Sequence, residues 1–562
     1  MADKPVLDTR KLRCIVLCEA NEFSEWEAQA LEHALTSGHL ELAGLVERQD
    51  RSEAAKPNKW AKRWNERTYA SWRAFDRFFV RPFSKAIPPR ELTFDTSSVP
   101  TFQDTPKKVG KFGEALSESA IQFVRSLEPD LVIRFGYGIL KGEILDIPSY
   151  GVWSFHHGDP SAYRGQPPGF WEIFHGRNHT GAILQVLSSE LDAGRILHKG
   201  RFQIASQSYA QTRDYLYFGT VPWLARACAD IRYNGWEAVA RRYELSEANG
   251  KIYKQPNNMQ VIGFAAKIAL NRLKNISKYK LHRQQWNVGV AAAPIQTVAG
   301  LDGDRAQARA IRSAVWMSPK GAEFFADPFG YMTKGGRVRI LFERYLWREK
   351  KGVIASSTFT DGKFSTVENE LVTQNHLSYP FIMESEGTTL VLPEQSDQQL
   401  ATIYELDLQD RLKEIGPLPG QGRLIDTTIV KLDGVDWAFA IKEEGVKNTH
   451  LYAYYFDELM GDWTPHPLNP IKSDITSARP GGTMFFHGGS IYRPAQDCAA
   501  HYGSAVSLCE VTELTKTNFE ERIVSRVTPI DGGLYPDGLH TLSAVGDYTL
   551  IDGAKNRLVG VP

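Results

Sequence analysis

Residues 12–47 read "LRCIVLCEANEFSEWEAQALEHALTSGHLELAGLVE", and their pattern decides the fold of the first part of the chain. The run "LRCIVLC" is apolar and strand-like, "EFSEWEAQALEHALTSG" has helical periodicity, and "LELAGLVE" is a second strand. A strand, a helix and a strand in succession predict a β-α-β unit, the seed of a parallel sheet. No G-x-G-x-x-G joins the first strand to its helix, so the dinucleotide-binding fingerprint is absent from this turn.

An insertion rich in aromatic and basic residues interrupts this pattern at 56–95. Within 56–90, Trp60 and Trp64 lie four positions apart, and Trp72, Phe75 and Phe79 follow one another at spacings of three and four. Residues at these spacings share a helical stripe, so we predict a helical insertion whose stripe packs on the domain or on a twin subunit. A peripheral contact with a membrane surface or a polyanion is the alternative, and the basic stretch 256–284 is a second candidate for such a contact.

The sheet pattern resumes with the strands "DLVIRFG" (130–136) and "VWSFHH" (152–157). Side chains two apart on a strand share a face, so Ser154 and His156 point one way and His157 points the other. The two histidines are therefore poorly placed to chelate one metal ion, and we predict no metal site. Ligands of open parallel sheets bind at the carboxyl ends of the strands, where His156 can move protons near neutral pH. A purely structural histidine is the alternative.

The residues around His156 belong to a longer pattern. Its elements, in chain order, are Tyr137-Gly138, His156, Tyr163-Arg164-Gly165, Pro167, Thr180-Gly181 and Leu191-Asp192-Ala193-Gly194. Their order and spacing resemble the formyltransferase family, which includes methionyl-tRNA, glycinamide ribonucleotide and nucleotide-sugar N-formyltransferases. The resemblance covers about residues 11–235 and is concentrated in 136–197.

This resemblance implies a Rossmann-like parallel sheet and a reaction in which an acceptor amine attacks the carbonyl of 10-formyltetrahydrofolate, the co-substrate. His156 would stabilise the tetrahedral oxyanion or relay a proton, and Asp192 would orient His156 and help to take a proton from the amine. The pterin would lie against the loop before Asp192 and against a second loop formed by Gly136, Tyr137, Gly138, Ile139 and Leu140. Further substrate contacts are expected from Tyr163, Arg164 and Gly165.

Ser154 departs from the family pattern, which has an asparagine two residues before the histidine. That asparagine donates a hydrogen bond to the oxyanion, and the loss of one such donor typically costs about 10²–10³ in rate. The family's Ser-x-Leu-Pro segment is also replaced, by Gly158-Asp159-Pro160-Ser161. Three outcomes stay open: a formyltransferase whose oxyanion hole is rebuilt with Ser154, a related transfer from another acyl donor, or a weakened enzyme kept for binding.

The sequence pattern changes after 246–285, a stretch that we interpret as a helical linker. From 286 to 562 short alternating strands dominate, and they predict an all-β domain because almost no helical pattern separates them. Semi-repeated signals near fifty residues apart favour a propeller of about five four-stranded blades; they include "ADPF" at 326, "SYPF" at 378 and "LIDTT" at 424. The predicted domains are therefore 1–245 (α/β), 246–285 (linker) and 286–562 (β-propeller).

Short motifs relate this second domain to proteins that act on carbohydrate. "FFADPFG" resembles the Asp-Pro opening of the five-bladed furanosidase propellers. "NHLSYPFIMESEG", "HPLNPIKSDITSARPGG" and "YRPAQDCAAHYG" resemble the propeller of plant glucosamine-type inositolphosphorylceramide glycosyltransferases. Asp327 and Asp426 match two acids of the furanosidases, but no third acid is found, so sugar binding is preferred to hydrolysis. Both aspartates are also ordinary turn residues at strand ends.

The charge balance and the absence of apolar runs narrow the function. The chain has 66 Lys and Arg against 66 Asp and Glu, so it lacks the basic excess of a tRNA binder and we predict no nucleic-acid partner. No run approaches the ~18 apolar residues of a membrane span, and the start lacks the apolar core of a secretion signal, which favours the cytoplasm. A homodimer is also expected.

Together the patterns predict formyl transfer to the amine of an amino sugar, either nucleotide-linked or part of a glycan or glycolipid. The propeller would bind or position the carbohydrate. Two alternatives remain: a two-domain carbohydrate-binding protein in which both sites are degenerate, and a propeller glycoside hydrolase with an accessory formyltransferase-like domain.

Overall fold

The computed structural model describes residues 10–19, 22–49, 68–110, 113–188, 194–242, 249–319, 322–385, 387–395, 400–418 and 422–558. The chain divides into two compact units, Met1–Leu273 and Lys274–Pro562. The division falls within 246–285, the stretch for which the sequence predicts a linker.

A seven-stranded sheet forms the centre of the N-terminal unit, which has the predicted α/β fold. Its strands are β1 (Leu12–Cys18), β2 (Leu40–Arg48), β3 (Thr101–Asp104), β4 (Leu131–Arg134), β5 (Val152–His156), β6 (His179–Val186) and β7 (Arg195–Gln203). They are ordered β7-β6-β5-β4-β1-β2-β3 across the sheet. Strands β1 to β5 pair in parallel, whereas the pairs β5–β6 and β6–β7 are antiparallel. The carboxyl ends of β4 and β5 therefore meet at one edge.

Helices cover both faces of this sheet. The helices that the structure describes up to Leu281 are α1 (Glu25–Thr36), α2 (Ala70–Phe75), α3 (Glu118–Ser126), α4 (Phe170–His175), α5 (Tyr209–Phe218), α6 (Trp223–Asn234), α7 (Trp236–Arg242) and α8 (Asn258–Leu281). Cys14 and Val16 of β1 pack in the core beneath α1, whereas Ile15 and Leu17 pack in the core beneath α3. Burial on both faces is why the strand reads as one continuous apolar run.

The described part of the aromatic insertion is α2 followed by a π-helical turn, Asp76–Val80, and a 3-10 turn, Arg81–Phe83. Trp72 is buried, and the ring of Phe75 meets that of Phe264 of α8 at 5.7 Å. Phe79 is 64% exposed, because the wider π-helical turn rotates the stripe and buries Val80 in its place. Trp60 and Trp64 of the predicted stripe lie outside the described residues.

The stretch 246–285 is folded against its neighbours where it is described. Lys251–Tyr253 pairs in parallel with Tyr163–Gly165, and α8 buries Val261, Phe264 and Ile268 in the aromatic core of the N-terminal unit. An apolar stripe at helical spacing gives α8 a reason to pack where the sequence predicts a linker. Among the helices that the structure describes, none is long and apolar enough to cross a membrane.

The C-terminal unit is all-β, as predicted, apart from the short helices α9 (Ile295–Val298) and α10 (Asp304–Arg312). In its described residues the strands form five consecutive antiparallel sheets. Sheet 1 joins His282–Ala291 and Val315–Trp316 to Leu542–Val545 and Tyr548–Leu558; sheet 2 holds Glu323–Met332, Val338–Leu346, Lys351–Thr360, Lys363–Phe364 and Glu368–Leu371; sheet 3 holds Ser378–Ser385, Thr388–Glu394, Thr402–Leu406 and Leu412–Pro417; sheet 4 holds Leu424–Leu432, Val435–Lys442, His450–Phe456, Thr464–Pro465 and Lys472–Ser473; sheet 5 holds Phe485–His487, Ser490–Asp497, Ala505–Leu514 and Phe519–Val527. The first and last strands of the unit thus share sheet 1.

The semi-repeated motifs mark one structural feature in three successive sheets. Asp327, Tyr379 and Asp426 lie in the first strands of sheets 2, 3 and 4 and have φ angles of 52°, 41° and 52°. At each of them the pairing with the next strand shifts register, which defines a bulge. Asp tolerates the left-handed region better than most residues, which gives two of these positions a conformational role.

Candidate active site

A cavity of about 370 Å³ lies at the edge of the sheet where β4 and β5 end. Open parallel sheets bind ligands at this edge. The start of α1, the ends of β4 and β5, the segment 165–168 and α5 supply most of its lining, which is Ser24, Trp26, Glu27, Ile87, Arg134, Phe135, Phe155, His156, His157, Gly165, Gln166, Pro168, Arg213 and Tyr217. Two arginines, two histidines and one carboxyl group give the cavity a polar interior.

His157 is held inside the protein. Its Nε2 lies 3.2 Å from Thr220 Oγ1, and its ring packs edge-on against Trp26 and Tyr217 at 4.8 and 4.4 Å. Burial lowers the pKa of His157 well below its ordinary value, with a further lowering by neighbouring cationic groups. The ring is therefore neutral and packs as an aromatic side chain.

His156 is less buried and ends β5 at the cavity. Its Nε2 lies so near Gly158 that a Cβ at that position would stand only 3.0 Å away and also 2.8 Å from the carbonyl oxygen of Tyr163. A glycine is needed here because the chain turns back closely over the imidazole. The structure thus places the half-buried His156 at the cavity, whereas His157 is held in the packed interior.

Ser154 is buried below the cavity and bonded to an arginine. Arg134 ends β4 and is the register partner of Ser154 in β5. Its Nε and Nη2 donate to Ser154 Oγ at 3.1 and 2.7 Å, and the Ser154 hydroxyl donates in turn to the carbonyl of Phe155 at 3.3 Å. The hydroxyl that the sequence offers as an oxyanion donor is therefore already engaged inside the protein.

Arg134 also fixes the neighbouring loop. Its Nη1 donates to the carbonyls of Tyr137 and Gly138 at 3.1 and 2.6 Å. Of the five N–H groups only one, on Nη2, has no acceptor among the described residues, and Arg134 lines the cavity. Burial lowers the pKa of Arg134, but a guanidinium keeps its charge at neutral pH. A fixed cation with one remaining donor thus borders the cavity.

The loop predicted to bind the pterin stands beside the cavity and contributes none of the lining that the structure describes. The Tyr137 hydroxyl donates to Asp104 at 3.2 Å, and the amide of Gly138 donates to Glu114 at 2.9 Å. Leu140 is buried in the core, and a Cβ at Gly136 would meet the backbone at 2.6 Å. The loop is therefore fixed by contacts within the protein, and its carbonyls at Tyr137 and Gly138 anchor Arg134. It consists of Gly136, Tyr137, Gly138, Ile139 and Leu140.

Tyr163, Arg164 and Gly165 form a short strand, of which only Gly165 lines the cavity. The Tyr163 hydroxyl lies 3.2 Å from His175 Nδ1 and accepts a bond from Arg177 Nε at 3.1 Å. Gly165 has a φ of +94°, and a Cβ there would lie 2.1 Å from the carbonyl oxygen of the paired strand. Glycine is needed at this position because the backbones of the two paired strands approach each other so closely.

Asp192 lies outside the described residues, together with the rest of 189–193. The glycine that ends its motif is described, and a Cβ at Gly194 would lie 2.1 Å from the carbonyl oxygen of Val186. Only glycine allows the chain to return this closely to the end of β6. The predicted pairing of Asp192 with His156 stays a prediction.

Glu172 of α4 is a buried carboxyl group that the sequence pattern did not single out. It accepts a bond from Thr180 Oγ1 at 2.9 Å, and Thr180 belongs to the Thr-Gly element of the motif. Burial raises the pKa of Glu172 to about 7, and the charge of Asp159 adds to the rise. Glu172 therefore titrates near neutral pH.

We expect Glu172 to make the stability of the N-terminal unit fall as pH rises. Between pH 4.5, its ordinary value, and about 7 the folded chain keeps a proton that the unfolded chain releases. The free energy of unfolding should decrease across this window by about 3 kcal/mol in total. Glu172→Gln should flatten the dependence in urea unfolding, whereas the exposed Glu91→Gln should not; equal slopes in the wild type and Glu172→Gln would contradict this assignment.

Three charged residues of the cavity were not predicted from the sequence. Arg134 ends an otherwise apolar strand, "DLVIRFG", and a charge in a buried strand was the signal that could have found it. Glu27 belongs to a capping box with Ser24, and burial raises its pKa above the ordinary value. Arg213 bonds Asp76 at 3.2 Å, while its Nε is buried with no acceptor in the described structure.

In the C-terminal unit Asp327 is buried in a small charged cluster. Its Oδ1 accepts a bond from Thr541 Oγ1 at 2.9 Å and lies 3.6 Å from His540 Nε2, while His540 Nδ1 bonds Asp552. Burial alone would lower the pKa of His540, but Asp552 and Asp327 raise it above its ordinary value. These three side chains each place one potential ligand atom within 4.8 Å of the others, a grouping that the sequence did not predict. The two neighbouring carboxyl groups thus favour the protonated form of the imidazole.

Asp426 is buried and paired as well. Its Oδ2 accepts bonds from Arg479 Nε at 2.6 Å and from Gln496 Nε2 at 2.8 Å. Arg479 also donates to Asn448 at 2.9 Å. Asp327 and Asp426 therefore both accept hydrogen bonds from side chains inside the protein.

Two family models match the chain. Residues 92–215 match the model described as formyl transferase, and residues 310–529 match the model described as glucosamine inositolphosphorylceramide transferase 1, N-terminal. The chain thus combines a formyl transferase domain in its first unit with a domain of the second family in its second unit.

Curated relatives match the two domains separately. Glucosamine inositolphosphorylceramide transferase 1 of Oryza sativa subsp. japonica is 32% identical over 207 residues, which are 36% of this chain and 28% of that protein. Methionyl-tRNA formyltransferase of Clostridium tetani is 39% identical over 92 residues, 16% of this chain and 30% of that protein. The chain thus spans less than a third of each of these relatives.

Two solved structures resemble this chain at low similarity. An exo-β-1,3-galactanase from Phanerochaete chrysosporium is 14% identical, with a TM-score of 0.30 over 39% of this chain and 53% of the other. A glycosyl hydrolase from Bacteroides ovatus is 14% identical, with a TM-score of 0.33 over 48% and 91%.

Proposed function

We propose that the protein transfers a formyl group from 10-formyltetrahydrofolate to the amine of an amino sugar. The observation that carries the proposal is His156, which ends β5 at a polar cavity inside a formyl transferase domain. The amine nitrogen would form a C–N bond to the formyl carbon, and the bond to N10 of the folate would break. The amine proton would pass to the departing nitrogen, leaving an N-formyl sugar and tetrahydrofolate.

The chain's own residues suggest how negative charge on the formyl oxygen is met. Ser154 is engaged with Arg134 and Phe155, so we assign the charge-stabilising bond to the remaining Nη2 hydrogen of Arg134. His156 would accept the proton of the attacking amine and return it to the leaving group. Asp192 would orient the imidazole, as the family pattern implies. In this proposal Arg134 and Ser154 together replace the family asparagine.

The proposed acceptor follows from charge and from the second domain. Equal numbers of acidic and basic residues do not suit a protein whose affinity depends on phosphate contacts along a tRNA. The relatives of the second domain carry glucosamine and inositolphosphorylceramide in their names. Glucosamine has the free amine that formyl transfer requires, so a glucosamine-type unit of a nucleotide sugar, glycan or glycolipid is the acceptor we propose, in the cytoplasm.

For the C-terminal unit we propose a five-bladed propeller that binds or positions the carbohydrate. The five consecutive sheets support this, as does the pairing of the unit's first and last strands in sheet 1. Contact of Asp327 and Asp426 with sugar stays a prediction. The internal partners of both carboxylates favour binding over hydrolysis, because a glycosidase needs carboxyl groups that face the bond.

The proposal is tested by incubating the full chain with 10-formyltetrahydrofolate and a panel of glucosamine derivatives, with mass spectrometry of the sugars. We expect a formyl adduct on acceptors with a free amine and none on N-acetylglucosamine, the matched acceptor without one. Release of sugar from glycosides without folate would instead support the hydrolase alternative. Carbohydrate binding without formylation of any amine would support the binding-protein alternative.

A further inference from the structure

Three exposed phenylalanines follow one another on the π-helical and 3-10 turns of the insertion. Phe78, Phe79 and Phe83 are 60%, 64% and 68% exposed. Large aromatic rings are costly to leave in water, and three within six residues are a cluster that ordinary surfaces lack. We call Phe78, Phe79 and Phe83 the aromatic patch.

Helix α8 lies beside the aromatic patch and is apolar on a second side. Its inward stripe is buried, yet Met259, Ile262, Leu270 and Leu273 are each more than half exposed. The two segments touch, since the ring of Phe75 stacks on Phe79 at 5.8 Å and meets Phe264 of α8 at 5.7 Å. The insertion thus packs on the inward side of α8, and the exposed side of α8 adds a second apolar surface to the N-terminal unit.

Basic side chains surround these apolar residues. Arg73, Arg77, Arg81 and Lys85 are exposed around the aromatic patch. Two acidic residues lie there as well: Asp76 is bonded to Arg81 and Arg213, and Asp214 accepts bonds from Ser84 and from the backbone amides of Lys85 and Ala86. Within the N-terminal unit, α8 contains the basic residues Lys267 and Arg272 and no acidic residue. This local excess stands out in a chain with zero formal net charge. The surface thus pairs apolar anchors with positive charge.

We infer that this surface docks the protein on an anionic lipid bilayer. Aromatic and aliphatic side chains enter the boundary between headgroups and acyl chains, and the flanking Lys and Arg residues attract anionic headgroups. The charge excess favours this occupant over a second copy of the chain, because two such surfaces would repel each other. The inference rests on the surface alone and holds whether or not the cavity transfers formyl groups.

Vesicle flotation of the full chain tests this inference. Vesicles of phosphatidylcholine alone are compared with vesicles that contain about one third phosphatidylserine, so that both arms present the same apolar interior. The variants are Phe78→Ser with Phe79→Ser and Phe83→Ser, Arg77→Gln with Lys85→Gln, and the control Phe486→Ser. Phe486 is 61% exposed on sheet 5, so it matches the patch in exposure but not in surroundings.

We expect the wild type and Phe486→Ser to bind the anionic vesicles and to release them in high salt. The triple serine variant should bind at least about tenfold more weakly, and each removed charge should cost about fivefold. All variants should keep the wild-type unfolding temperature, because the changed side chains are exposed. Equal flotation with both kinds of vesicle, or none with either, overturns the inference. A wild-type dimer that the triple variant makes monomeric, without flotation, assigns the surface to a second copy instead.

Discussion

Replacing His156 with alanine is expected to lower kcat for formyl transfer by about 10²–10⁴, with a small change in KM for the sugar. The imidazole ends β5 at the cavity, whereas His157 is neutral and packed between aromatic rings. Removing it takes away proton relay while leaving the sheet below intact. Steady-state kinetics with 10-formyltetrahydrofolate and the best glucosamine acceptor measure the effect.

His39→Ala is the matched control for this experiment. His39 lies in the same unit at the amino-terminal end of β2, where its Nδ1 meets Arg232 at 3.0 Å, far along the strand from the cavity edge. We expect kcat to stay within about twofold of the wild type, since the half-buried His39 does not line the cavity. A His156→Ala enzyme with wild-type kcat would remove His156 from the chemistry.

Replacing Arg134 with methionine is the second change with a large expected effect, about 10²–10³ in kcat. Methionine keeps most of the side-chain volume but removes the cation and its four internal hydrogen bonds. Because Ser154 donates its own hydrogen to Phe155, the Ser154 hydroxyl does not take over the donation. Arg134→Lys is a partial control: it keeps the charge, replaces the planar fork of five donors by three donors on one nitrogen, and should fall between the wild type and Arg134→Met in kcat.

Ser154→Asn tests whether Arg134 donates a hydrogen bond to the formyl oxygen or only holds the neighbouring loop in place. When Arg134 is present, the longer asparagine side chain of Ser154→Asn should clash with the guanidinium and reduce kcat. When Arg134 is replaced by methionine, Ser154→Asn should raise kcat relative to Arg134→Met alone, because the amide then has room to donate a hydrogen bond as the family asparagine does. Additive effects of the two substitutions would show that Arg134 only holds the loop at Tyr137 and Gly138. Rescue would show that the pair replaces one hydrogen-bond donor by another.

The sequence predicted local order well where pattern and packing agree. The apolar run at 12–18 became a strand buried on both faces, and the helix after it became α1. Strand alternation is enough to place Ser154 and His156 on one face of β5. The aromatic stripe was predicted less well, because the π-helical turn at 76–80 exposes Phe79 and no periodicity announces such a turn.

By itself, then, the sequence determined the α/β and all-β halves, the family motifs around His156, and the substitution at Ser154. Those features depend on spacing along one chain, which periodicity and motif order record directly. Only the tertiary structure showed that Arg134 bonds Ser154, that Asp327 and Asp426 are held by His540 and Arg479, and that Phe79 is exposed beside α8. Each of these features brings together side chains that lie far apart along the chain, and neither periodicity nor motif order records which distant segments the fold places side by side.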